Sequence, residues 1–171
     1  MNRRNWITSG IAMVLLAMVN VGSAQDDPGR TKIGRVRVTV YYATNSDAKA
    51  AGTKASAVSK ETEKRLHSEA RLNFKSYRML GQDVQPLLRS YESWAQPLKP
   101  SDEVLVKFEA SSIPTDQLMK LDLELWLSRK KILKTDARLE GNRPLYMLGP
   151  EWRGGRLIIA VALAPKEKPG S

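Results

Sequence analysis

The sequence predicts a mainly β protein, an antiparallel β-sandwich or partly open barrel with one short surface helix near its start. Three observations lead there. Apolar residues alternate with a period of two over 36–42, 104–110, 121–127 and 157–163. Turn-forming residues separate these runs at short intervals, and only one segment carries the signals that begin a helix.

The polar stretch 25–32, with Pro28 and Gly29, reads as a disordered leader, and order is expected from Ile33. Val36, Val38, Val40 and Tyr42 then share one face while Arg37, Thr39 and Tyr41 share the other, the pattern of a half-buried strand. The segment 44–59, rich in Ala, Ser, Lys and Thr, is too small and polar for a core and reads as a flexible loop. Ser59, followed by Glu61 and Glu63, offers a capping oxygen and acids for the positive end of a helix from Lys60 to about Arg71. That helix has a thin apolar face, chiefly Leu66 and Ala70, so it should lie on the surface.

Leu72 and Phe74 share one parity and Tyr77 and Met79 the other, as a bulged strand would require. Gly81-Gln82-Asp83 reads as a turn, and 84–94 as a further strand that Pro86, lacking an amide hydrogen, moves to an edge. Pro97 and Pro100 close that segment. Val104, Val106, Phe108 and Ala110 should face the core, as should Leu121, Leu123, Leu125 and Leu127. Ser128 to Lys131 reads as a hairpin connection into 132–139, and Gly141-Asn142 as the next turn. Tyr146 to Leu148 should pair briefly before Gly149-Pro150. The run 156–163, apolar on both faces, should be a central strand. The expected organisation is one domain over 33–165 and a flexible tail over 166–171.

The N-terminus bears on location. Arg3 and Arg4 precede an apolar run over 7–21, and Gly22-Ser23-Ala24 offers the small residues a signal peptidase accepts, so 1–24 reads as a cleaved signal peptide. A spanning helix needs about 20 apolar residues, and Asn20 interrupts this run. Residues 2–7 resemble a twin-arginine export signal, although the strongly apolar core suits the general export route better. The expected location is exported, periplasmic or extracellular. Cysteine is absent, which excludes disulfides, thiolate chemistry and lipid attachment and leaves stability to packing alone. The net charge of +10 falls by two on loss of Arg3 and Arg4, and such an excess favours anionic partners.

Several chemistries find no support. His67 is the single histidine, too few for a zinc site, and no Gly-x-Ser-x-Gly elbow accompanies it for a serine triad. The segment 149–156 superficially resembles a phosphate loop but lacks the Lys and Ser or Thr, and it leads into a strand. No cofactor motif is present. Asp122 and Glu124 share a strand face with backbones about 6–7 Å apart, a weak pattern for glycoside hydrolysis and the ordinary pattern of a solvated face.

The stronger feature is aromatic residues interleaved with cations: Tyr91, Trp94, Trp126 and Trp152, with Arg129, Lys130, Lys131 and Arg153. Indoles stack on sugars or anchor interfaces while nearby cations attract acidic groups. The same residues equally serve as packing for the outer face of a sandwich. The leading expectation is an exported non-enzymatic binding or assembly protein that contacts an anionic envelope component or another exported protein through this surface. An envelope glycan hydrolase using paired carboxylates ranks second and nucleic-acid binding third.

Overall fold

The structure, a computed structural model, describes residues 26–112, 115, 118–141 and 143–165. The signal peptide expected over 1–24 and the tail over 166–171 lie outside the described residues. The nine strands described are β1 (Lys32–Thr44), β2 (Ser56–Ala57), β3 (Ser76–Leu88), β4 (Ser93–Ala95), β5 (Val104–Ala110), β6 (Leu118–Leu127), β7 (Lys130–Glu140), β8 (Leu145–Trp152) and β9 (Gly155–Leu163), with one helix, α1 (Lys60–Ser68). They form a five-stranded sheet ordered β2-β3-β1-β9-β8 and a four-stranded sheet ordered β4-β5-β6-β7. Every pairing is antiparallel. Two distinct sheets packed face to face make the fold a β-sandwich rather than a barrel.

Alternation places the core where expected. Val36, Val38 and Val40 of β1, Leu157, Ile159 and Val161 of β9, Val104, Val106 and Phe108 of β5, and Leu121, Leu123 and Leu125 of β6 meet in one buried cluster. β9 is central, between β1 and β8, because its outer face is also apolar. There Ile158 joins Ala43, Tyr77, Leu66 of α1 and Leu72 in a second, smaller cluster.

The helix begins as its cap dictates: the Ser59 hydroxyl accepts from the Thr62 amide at 3.2 Å. It ends earlier than expected. After Ser68 the chain passes through a 3-10 turn at Ala70–Leu72, whose carbonyl at Leu72 accepts from the Tyr77 hydroxyl at 2.7 Å. His67 is held between Asn73, 2.8 Å from its Nδ1, and the ring of Tyr77. No cluster that could hold a metal occurs among the described residues.

Three local expectations are corrected. The stretch expected as a disordered leader is built onto the domain from Asp26 onward. Pro28–Arg30 forms a 3-10 turn, the Asp27 carboxylate accepts from the Gly29 amide, and the Gly29 carbonyl accepts from the Ser90 amide. The segment expected as a flexible loop contains a 3-10 turn at Ala48–Ala51 and the short strand β2. Gly81-Gln82-Asp83 does not turn the chain. It runs through the middle of β3, and the bulge lies there instead, with Leu80 as the extra residue between the pairs Val40↔Gly81 and Tyr41↔Met79.

The reason is tertiary. β3 runs along β1 over its full length, and beyond the stretch that β2 covers it meets β4, forming the seam between the sheets. The Asp83 carboxylate accepts from the Gln96 amide at 2.8 Å, from Gln85 Nε2 at 2.9 Å and from Lys99 Nζ at 3.1 Å, while Ser93 Oγ donates to the Pro86 carbonyl at 2.7 Å. Pro86 lies beyond the part of β3 that β2 covers, consistent with an edge position.

Burial pushes the Asp83 carboxyl up, but the Gln96 amide, Gln85 and Lys99 together outweigh it and hold the group below its ordinary value of 3.8. A carboxyl lowered on folding stabilises the fold above its unfolded value, and that stability is lost as pH falls through the folded value. Asp83→Asn, which turns an amide donor towards these donors, should cost about 1–3 kcal/mol at neutral pH by thermal unfolding. The variant should also lose less stability than the parent between neutral pH and about pH 3. Equal acid sensitivity in the two proteins would remove Asp83 from this role.

Candidate functional site

The outward residues of the four-stranded sheet are set by the same alternation that buries its leucines. Trp94 of β4 pairs across from Lys107 of β5, Lys107 from Glu124 of β6, and Glu124 from Lys134 of β7. One row along, Leu105 faces Trp126, and Trp126 faces Lys131 because a bulge at Ile132 shifts the β6–β7 register between Leu125 and Trp126. Without that bulge Lys131 would point to the opposite face.

The register brings Trp94 and Trp126 together over β5, with ring centroids 5.8 Å apart and planes tilted by 55°. Each indole N–H donates to a carboxylate two residues earlier in the chain, Trp94 to Glu92 just ahead of β4 and Trp126 to Glu124 within β6, both at 3.0 Å. Lys107 Nζ bridges the two acids, at 3.1 Å from Glu92 and 3.7 Å from Glu124. Lys131 Nζ lies 3.3 Å from Glu124 and 5.5 Å from the centroid of the Trp126 ring. Two indoles thus lie in a frame of two lysines and two glutamates. Trp94 remains 39% exposed and Trp126 half-buried, so both ring surfaces reach solvent.

The charges fix the protonation state of the frame. Burial pushes the Glu124 carboxyl up, but the Trp126 N–H, Lys131 and Lys107 outweigh it and hold it below the ordinary carboxylate range. Glu92 is lowered by its bond from Trp94 and by Lys107, and Lys107 is raised by Glu92 and Glu124. Asp122 and Glu124 do share the outer face, as the spacing predicts. A glycosidase acid must hold its proton near neutral pH, and Glu124 is shifted the other way. Asp122 stands opposite Glu109 and Asp136, a row of three acids across β5, β6 and β7.

The remaining predicted site residues are dispersed. Arg129 and Lys130 lie at the β6–β7 turn, where Ser128 and Arg129 both have positive φ, the geometry of a two-residue hairpin turn; Arg129 pairs with Asp102 at 2.9 Å. Tyr91 is apart from the indoles. Its hydroxyl donates to Asp27 at 2.5 Å, and Arg30 lies over its ring, so it ties the first described residues to the domain. Trp152 belongs to the five-stranded sheet, edge-on to Tyr42 at 5.6 Å and against the main core. Arg153 stacks on it at 4.4 Å, while its carbonyl accepts from the Tyr42 hydroxyl. That pair packs the β8–β9 turn.

Lys107 and Glu92 were not among the sequence candidates. Lys107 was readable from parity, since Val106 and Phe108 point inward. Glu92 was not, because its link to Lys107 depends on β4 pairing with β5.

The fold and this face define a class: a β-sandwich whose four-stranded sheet presents a paired-indole, charge-framed outer surface. Compared with known proteins, the chain matches no protein-family model, no curated protein and no solved structure.

Proposed function

We propose that this chain is an exported, non-enzymatic binding or assembly protein, and that it docks onto an anionic envelope component or another exported protein through the outer face of the four-stranded sheet. The observation that carries the reading is the Trp94–Trp126 pair, left accessible on the outer face of a sheet whose extensive contacts, among the described residues, are all with strands. The five-stranded sheet differs, with α1 and the following turn packed on its outer side.

Indoles in a rigid frame lose little side-chain freedom on contact, which makes them effective anchors. Lys107 and Lys131 are matched by Glu92 and Glu124, and Arg129 by Asp102, so long-range attraction falls to Lys130 and Lys134 at and beside the adjoining turn. Among the described residues no helix is long and apolar enough to cross a membrane.

The test is retention of the purified chain on membrane, cell-wall and soluble exported fractions of its source, with increasing salt. Selective retention by one fraction is expected, reduced at least about tenfold by Trp94→Ala or Trp126→Ala. Added salt should weaken it only in part, because the contact centre is charge-balanced. Retention that is unchanged in both variants, or absent from every fraction, would remove this face from the function. The hydrolase alternative is tested by Asp122→Asn and Glu124→Gln: glycan release that requires either carboxylate would replace the binding reading.

A further inference from the structure

We propose that a groove on the outer face of the five-stranded sheet binds an organic oxyanion, a carboxylate or phosphate head carried on a small apolar body, with Arg37 as its charge partner. This is the sheet opposite the paired indoles, so the inference is independent of the docking reading.

The groove exists because the helix covers only one end of the sheet. Towards that end, Ile158 and Tyr77 pack under Leu66 and Leu72. Beyond it the outward residues of β9 shrink to Ala160 and Ala162, and the two residues facing them on β1 are Thr39 and Arg37. The result is an open cavity of about 510 Å³. Its floor is Thr39, Ala160 and Ala162, and the rings of Tyr41 and Tyr146 and the helix residue Arg65 line it.

Charge and hydrogen bonding in this groove are unbalanced. Arg37 Nε is buried and has no hydrogen-bond partner among the described residues. That nitrogen is shielded from the groove, so what Arg37 offers a ligand there is the remainder of its half-buried, positively charged side chain, which lines the cavity. Glu61, an acid that lines the groove, is taken by Arg65 at 2.7 Å, and no ion pair to Arg37 occurs among the described residues. The Thr39 hydroxyl is directed to Gln82 at 3.4 Å. The Tyr41 phenol, protonated at neutral pH like any tyrosine and pushed further up by burial, can donate a hydrogen bond.

A planar guanidinium beside phenol donors suits an oxyanion, since its fork matches two acceptor oxygens. The alanine floor and the two tyrosine rings suit an apolar body rather than a bare ion. The shared chemistry is thus an anionic head on an apolar stem. Carboxylate and phosphate sources are separated by the probes.

Calorimetric titration of the full chain with phenyl phosphate and with benzoate, using benzamide as the neutral control, tests this. At least one anion should bind with a Kd on the order of 1 mM or tighter. Amide NMR shifts should centre on Thr39, Ala160 and Ala162. Phosphate-only, carboxylate-only or dual binding would each assign the head group.

Arg37→Gln should weaken binding at least about tenfold. Ala162→Leu, which fills the floor and leaves Arg37 in place, should also weaken it. Thermal unfolding of both variants checks that they remain folded. The proposal is overturned if neither anion binds, if benzamide binds equally well, if both folded variants bind like the parent, or if the shifts fall on Lys107 and Lys131.

Discussion

Gly81→Ala is expected to destabilise the protein by about 3 kcal/mol and to lower its Tm by roughly 6–12 °C. A β-carbon at residue 81 would sit 2.1 Å from the backbone carbonyl oxygen of Pro97 and 3.2 Å from its carbon. No rotamer relieves a clash with backbone. Either β3 moves or the segment after β4 lifts away, and the second movement would also stretch the Gln96 amide and Lys99 bonds to Asp83. Gly34→Ala is the control, because its nearest neighbours would be 3.8 Å away, in ordinary contact. That change should be neutral or slightly stabilising, since alanine restricts the unfolded chain. Similar Tm values for the two variants would show that the seam yields at little cost.

Phe108→Ala should cost about 3–5 kcal/mol, a Tm drop of roughly 6–20 °C. Phe108 is fully buried in β5, paired with Leu123 on one side and Ser93 on the other. Its ring occupies the layer between the sheets beneath the strand that carries Lys107 on its outer face. Removing it leaves a cavity that flanking strands fill only in part. Phe108→Leu should lose much less because most of the volume remains. A small loss for Phe108→Ala would mean that the sheets close over the gap.

The same strand shows how much of the candidate site was readable. The alternation of β5 and β6 assigned Val104, Val106, Phe108 and the leucines to the core, and so put Asp122, Glu124 and Trp126 outside, where the structure has them. It did not show that Trp94 would stack on Trp126. Those residues lie on β4 and β6, which are not neighbours, and only the intervening β5 brings the rings together. Nor did it separate Tyr91 and Trp152 from the group. Each has its own local partners, Asp27 and Tyr42, chosen by packing between distant parts of the chain. The outer groove was signalled faintly by Ala160 and Ala162 in an otherwise bulky strand.

Taken alone, the sequence determined the class of fold, the strands with strict alternation, the start of α1 at Ser59 and the inward faces of β1, β5, β6 and β9. All of these follow from periods of two or from a cap acting over three residues, and such interactions are local. Tertiary structure decided the continuity of β3 through Gly81, the ordering of the chain before β1, the bulge that turns Lys131 outward and the grouping of the tryptophans. Those depend on which strands become neighbours and in what register. Neighbour choice is settled by burying both sheets' apolar faces at once, and no short window of sequence contains that energy.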